Sequence, residues 1–145
     1  VHLIGTTLFI KHMTARMTEG GSVVTTSSQT TLLAPPGLAA YAGTKSGADH
    51  IVRIAAVEYG AQNIRVNSLS PGFTPSAMTA GFLAMPAIEQ AFTNEIPLGR
   101  LPSTDDMANA ALWLLSDESF MTGRMLDISG GQTLRRIPTA TEMGF

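Results

Sequence analysis

The sequence predicts an α/β fold, a parallel sheet joined by crossover helices, and three observations lead there. Apolar spacing alternates between helix and strand periods in the order helix, strand, helix, strand, helix, strand. The strand-like segments are short and each is bordered by glycine or proline. The 145 residues have the length of one domain, and a 44% hydrophobic content is enough to bury a core.

Leu3, Ile10, Met13 and Met17 recur at helical spacing until Gly20-Gly21, which predicts an amphipathic helix over 2–18. Ser22-Val23-Val24-Thr25-Thr26-Ser27 is short and rich in β-branched residues, a strand running into a loop that Pro35-Pro36 interrupts. Ala40 to Tyr59 is alanine-rich and proline-free, a long helix with Gly60 as its expected cap. Gly43 and Gly47 lower helix propensity in its first half and, with Ala48, form a run of small residues on neighbouring turns, which suggests that another backbone packs closely there. Ile64 to Leu69 reads as a second strand stopped by Pro71-Gly72.

Pro75, Pro86 and Pro97 break residues 73–99 into short helices in a mobile excursion. Ser103-x-x-Asp106 is a capping pattern opening a helix that runs to Ser116, with Met107, Ala111, Leu114 and Leu115 on one side. Met125 to Ser129 forms a third strand between Gly123 and Gly130, followed by a tail of little pattern. The crossovers of such a sheet are right-handed, and ligands bind outside the carboxyl ends of its strands. Ser28 and Pro71-Gly72 follow two of those ends.

Nine basic against eleven acidic residues give a formal charge of −2, which lacks the basic footprint of a nucleic-acid binder or a polybasic membrane patch. Without cysteine there is no disulfide, thiolate nucleophile or cysteine-ligated metal, and the cytoplasm is the default compartment. Val1 to Ile10 is apolar, but Lys11 and His12 end it far short of a membrane span. His12 and His50 have no partner at ligand spacing and read as surface residues, so no metal site is expected. Arg135-Arg136 reads as a solvated pair, and Phe82, Leu83, Met85 and Phe92 as either a lid for an apolar substrate or packing against the domain.

Tyr41 and Lys45 lie four residues apart at the start of the long helix, so they project from one face about a turn apart. A lysine ammonium favours the phenolate of a nearby tyrosine, whose free pKa is about 10, and makes it a usable general acid or base. The spacing alone is weak evidence, because such pairs commonly decorate solvated helix faces. Ser28 strengthens it: the serine stands thirteen residues earlier at a strand end, where its hydroxyl can lie beside the phenol.

With these residues the chain resembles the short-chain dehydrogenase/reductase family. The resemblance rests on Gly21-Ser22-Val23-Val24 to Ser27-Ser28, Ala40-Tyr41-Ala42-Gly43-Thr44-Lys45 and Ile64 to Gly72. It continues through Ile96-Pro97-Leu98-Gly99-Arg100, the Asp105-Asp106 helix, Phe120-Met121-Thr122-Gly123 and Leu126 to Gly131. It implies a Rossmann-like three-layer fold, of which residues 1–145 are the C-terminal part, and an oxidoreductase that uses NAD or NADP on a ketone or secondary alcohol. The implied catalytic residues are Tyr41 as proton donor or acceptor, Lys45 as its partner and as a ribose ligand, and Ser28 on the substrate oxygen. Pro71, Gly72, Thr74 and Ser76 would line the nicotinamide carboxamide pocket.

The chain departs from the family at three places. His2 stands where the family's helix carries an asparagine that supports a proton-relay water, and reads equally as active-site architecture or as a buried, satisfied histidine. Thr74 replaces an aliphatic residue. The glycine-rich phosphate loop and the residue that selects between NAD and NADP belong upstream of Val1, as expected if the chain begins inside a larger gene product. The competing reading is a noncatalytic fragment or pseudoenzyme that serves only in assembly.

The family resemblance also implies a homodimer or homotetramer, built on the helices at 2–18 and 40–59. A second chain supplying the N-terminal half is the other expected partner. A three-stranded parallel sheet would leave the strand at 22–27 as an open edge, with one helix nearly alone on one face. The isolated polypeptide is therefore expected to be marginal or self-associating; a monodisperse monomer with a sharp calorimetric transition would contradict this.

Overall fold

A computed structural model describes all 145 residues. Its sheet comprises β1 (Gly21–Thr26), β2 (Ile64–Pro71) and β3 (Met125–Ile128), parallel and in that spatial order. Helices α1 (His2–Thr14) and α2 (Ala39–Tyr59) pack on one face, and α5 (Thr104–Leu115) on the other. The short α3 (Ala80–Leu83) and α4 (Pro86–Glu95) lie in the connection after β2. The result is a three-layer α/β fold with a parallel sheet.

Strand alternation sorts the side chains between the two faces. Val23, Ile64 and Val66 join Ile10 of α1 and Val52, Ala55 and Ala56 of α2 in one buried cluster. Burying a valine or isoleucine fully contributes about 1.5–3 kcal/mol, so this cluster is the main fastening of α1 and α2 to the sheet. On the other face Arg65 donates to Leu114 O at 2.7 Å and Ser116 O at 2.9 Å, and Ser22 to Leu114 O at 2.9 Å. These bonds satisfy carbonyls that the end of α5 leaves without helical partners, and the guanidinium also complements its dipole. At the other end of α5 the expected capping box is present, with Ser103 and Asp106 bonding each other's backbone N–H.

Several boundaries differ from expectation. α1 ends at Thr14 rather than near 18, because the buried Thr14 hydroxyl donates back to Ile10 O and tighter bonds to Met13 O and Thr14 O follow. Gly60 does not cap α2: it stays right-handed and the chain continues as a 3₁₀ turn to Gln62. Asn63 makes the stop in the left-handed conformation, which asparagine tolerates. A Cβ on Gly47 would sit 3.0 Å from Leu3 of α1, so close helix packing explains that glycine, whereas Gly43 faces open space. Leu114 is buried on α5, but Leu115 of its expected apolar side is exposed.

The C-terminal tail carries more structure than its composition suggests. Arg136 pairs with both Glu95 of α4 and Glu142, each at 2.7 Å, and Arg135 donates to Asn94 O at 2.8 Å. The two arginines therefore tie the tail to α4 instead of standing free in solvent. The aromatic group after β2 divides: Phe92 is buried and stacks on Phe73 at 4.1 Å between centroids, while Phe82 is exposed.

β1 pairs only with β2, leaving its outer edge without a partner strand within the chain. The C-terminal end of β2 is tightly enclosed: a Cβ on Gly72 would lie 2.9 Å from Ser129 Cα and 3.1 Å from Pro102 Cγ. Gly72→Ala is accordingly expected to cost about 1–3 kcal/mol through forced backbone displacement, read as a lower midpoint in urea unfolding at unchanged m-value.

Candidate active site

Parallel pairing brings the carboxyl ends of all three strands to one edge of the sheet. The β1–β2 register aligns Thr26 with Leu69, and Ser27 N continues the ladder to Leu69 O at 2.7 Å. Ser28 follows at once, in extended conformation, and caps a 3₁₀ turn over Gln29–Thr31. Alongside it β2 ends at Pro71, opposite Ile128, and Gly72 N donates to Ile128 O at 3.1 Å.

The Ser28 hydroxyl is oriented by its neighbour Thr30. Its oxygen accepts from Thr30 N at 3.2 Å and from Thr30 Oγ1 at 3.0 Å. A serine oxygen has two acceptor positions, so these bonds use both and leave the O–H free to donate. Sequence reasoning misses Thr30, because one hydroxyl among Thr30, Thr31 and Ser27 carries no distinguishing pattern.

α2 supplies Tyr41 and Lys45 from one stripe. Lys45 Nζ lies 5.9 Å from the centre of the Tyr41 ring and donates to Thr26 O at 2.7 Å. This bond joins the helix directly to the end of β1. Lys45 is only 8% exposed, and burial pushes its pKa below the usual lysine value, partly offset by the charge of Asp49. A third residue of the stripe, Asp49, accepts a 2.5 Å hydrogen bond from Ser27 Oγ. Its position four residues after Lys45 is a legible signal, but one easily passed over because carboxylates at this spacing usually form solvated helix pairs.

His2 is exposed rather than buried, with its ring edge-on to Tyr41 at 5.4 Å between centroids and 88° between planes. The first turn of α1 thus buttresses the phenol ring. Of the remaining predicted residues, Thr74 donates its hydroxyl to Gly72 O at 3.0 Å and Thr74 O accepts from Thr79 Oγ1 at 2.7 Å. Ser76 Oγ lies 3.2 Å from Thr79 Oγ1. Their side chains therefore shape the loop after β2, while the backbone N–H groups of Phe73 and Thr74 have no acceptor within the chain.

This donor set suits a nicotinamide group. Lys45 has three N–H donors and spends one on Thr26, leaving others for a ribose hydroxyl, and the free N–H groups of Phe73 and Thr74 match a carboxamide oxygen. The fold brings Tyr41 and Lys45 into contact and sets Ser28 and Pro71-Gly72 on the same sheet edge. It gives Thr74 and Ser76 side-chain partners inside their own loop.

Comparison with known proteins bears on the family and the fold. A family model described as enoyl-(acyl carrier protein) reductase matches residues 1–133. Trans-4-hydroxycyclohexanecarboxylate dehydrogenase of Sinomonas cyclohexanicum is 41% identical over 120 residues, which are 82% of this chain and 44% of that protein. The solved structure of a short-chain type dehydrogenase/reductase from Mycobacterium ulcerans superposes with a TM-score of 0.92 at 36% identity, covering 99% of this chain and 53% of that one. A 7α-hydroxysteroid dehydrogenase complexed with NADH and 7-oxo glycochenodeoxycholic acid gives 0.86 at 30% identity, covering 96% and 54%. The chain spans about half the length of the proteins it matches. With the family model covering nearly all of it, the chain belongs to the short-chain dehydrogenase/reductase family.

Proposed function

We propose that this chain carries the proton-transfer half of an NAD- or NADP-dependent oxidoreductase acting on a ketone or secondary alcohol, with Tyr41 as general acid and base. The observation that supports it most is the buried Lys45 ammonium beside the Tyr41 ring, anchored to the strand end that leads into Ser28. Kinship with dehydrogenases and reductases, and a similar structure complexed with NADH, support the nicotinamide assignment.

A nicotinamide cofactor, when bound, supplies or accepts the hydride at the substrate carbon. Lys45 would hold its ribose, and the segment Pro71, Gly72, Thr74 and Ser76 its carboxamide, through the backbone N–H groups of Phe73 and Thr74. In the reducing direction Ser28 donates its free O–H to the ketone oxygen and polarises it. Tyr41 O–H donates to the same oxygen and passes its proton there as negative charge develops. Lys45 stabilises the phenolate left behind, through a charge close by in a partly water-excluded site. Oxidation of an alcohol runs the same transfers backwards, and His2 keeps the phenol ring from swinging away.

The assembly expected of the family is part of this reading. Leu3, Ile4, Leu8 and Phe9 of α1, with Ile54 and Val57 of α2, form exposed apolar surface on the outer layer. Two copies meeting there would bury it in a homodimer or homotetramer. No helix is long and apolar enough to cross a membrane.

Activity is to be measured by nicotinamide absorbance on a ketone panel, in the chain complemented by the segment that makes up the rest of its relatives' length. Tyr41→Phe should lower turnover about 10²–10⁴-fold; undiminished turnover refutes the reading. Lys45→Met should abolish turnover and flatten the rise of stability with alkaline pH that the unchanged chain shows. The sign follows from the lowered pKa of Lys45: between its folded value and 10.5 the unfolded chain binds more protons, so stability rises with pH there, and below that window the buried charge is a standing cost. A Lys45→Met chain whose stability climbs with alkaline pH as steeply as the unchanged chain's would refute the lowered lysine pKa.

A further inference from the structure

The geometry points to Asp49 as a positioning residue of this site, standing one helical turn from Lys45 and holding the strand tip that carries Ser28. The inference rests on the proposed reaction for its functional meaning but on contacts for its physics. Tyr41, Lys45 and Asp49 follow one another at four-residue intervals on α2, so they form a single stripe facing the end of β1. Two bonds clamp that stripe to the strand tip: Lys45 Nζ donates to Thr26 O at 2.7 Å, and Ser27 Oγ donates to Asp49 Oδ2 at 2.5 Å. Thr26 and Ser27 immediately precede Ser28, so both clamps set the position of its hydroxyl relative to Tyr41.

Asp49 also resolves an electrostatic difficulty. An ammonium with little solvent contact tends to lose its proton, and burial is the dominant influence on Lys45. Asp49 is the one charged group that acts against it. The other elements around Lys45 bring no opposing charge. From β1 comes the Thr26 carbonyl, and the turn after it, Ser27, Ser28 and Gln29, carries no ionisable side chain. Tyr41 is neutral when protonated, and α1 presents His2 to the Tyr41 ring rather than to the amine. Asp127 of β3 accepts from Ser129 and Thr133 through Oδ2. A carboxylate one turn further along α2 therefore favours the protonated amine of Lys45, and the Ser27 hydroxyl bonds that carboxylate on the strand side.

The chain has two lysines, Lys45 and the exposed Lys11, so ¹³Cε-lysine NMR gives one reporting resonance and one internal control. In Asp49→Asn the Lys45 resonance should titrate at lower pH than in the unchanged chain, with Lys11 unmoved, and Asp49→Glu should restore much of the difference. Superimposable Lys45 titrations in the unchanged chain and Asp49→Asn overturn the inference. If Asp49→Asn fails to fold, Ser27→Ala serves in its place: freed from its tether, the carboxylate should support Lys45 less, and an unmoved titration is again the refuting result.

In the complemented, catalytically competent protein, Asp49→Asn should move the alkaline limb of the pH–rate profile to lower pH and lower kcat more than it changes KM. A shifted NMR titration with an unshifted profile upholds Asp49's hold on Lys45 and refutes the assigned role of Lys45. Loss of the proposed reaction itself is read separately, from undiminished turnover in Tyr41→Phe.

Discussion

A lysine ammonium with 8% of its surface exposed must find compensation, and the way Lys45 finds it organises this end of the molecule. Its bond to Thr26 O draws the first half of α2 onto the end of β1. From that anchorage follow the placement of Tyr41 one turn earlier, the contact of Tyr41 with His2 of α1, and the Ser27–Asp49 bond one turn later. The apolar cluster beneath the second half of α2 fastens the same helix independently. The helix is thus held at one end by burial of apolar surface and at the other by polar contacts, and the polar end is where chemistry is proposed.

Holding a charge where solvent is scarce costs stability, and sites that do chemistry commonly carry such a cost. Here the opposing contributions are separable. The core formed by Ile10, Val23, Val52, Ile64 and Val66 fastens the helices by apolar burial alone. Ser28 and Lys45, by contrast, have their hydrogen-bonding capacity only partly used, which leaves donors for a substrate oxygen and a ribose hydroxyl. The loop after β2 is arranged differently: the side chains of Thr74 and Ser76 bond within it, while the backbone N–H groups of Phe73 and Thr74 have no acceptor in the chain.

The surface left uncovered is as informative as the site. β1 has an open edge, and Leu112, Trp113 and Leu115 of α5 stand exposed, as do apolar groups of α1 and α2. A parallel sheet ordinarily has both faces covered and its edges extended by further strands. The matched relatives are about twice as long as this chain, so the layers seen here match about half of theirs.

Local sequence determined the order of elements, the parallel α/β class and the capping box at Ser103, because periodicity, β-branched runs and cap chemistry act over a few neighbours. The Tyr41–Lys45 pair was legible for the same reason, since helical spacing alone places both side chains on one stripe. Tertiary structure decided what depends on contacts between distant segments. Arg136 finds Glu95 far back along the chain, and Arg65 of β2 finds the last carbonyls of α5. Asp49 belongs with these: nothing in a helical carboxylate declares which hydroxyl it will meet, and only the docking of α2 on β1 brings Ser27 to it.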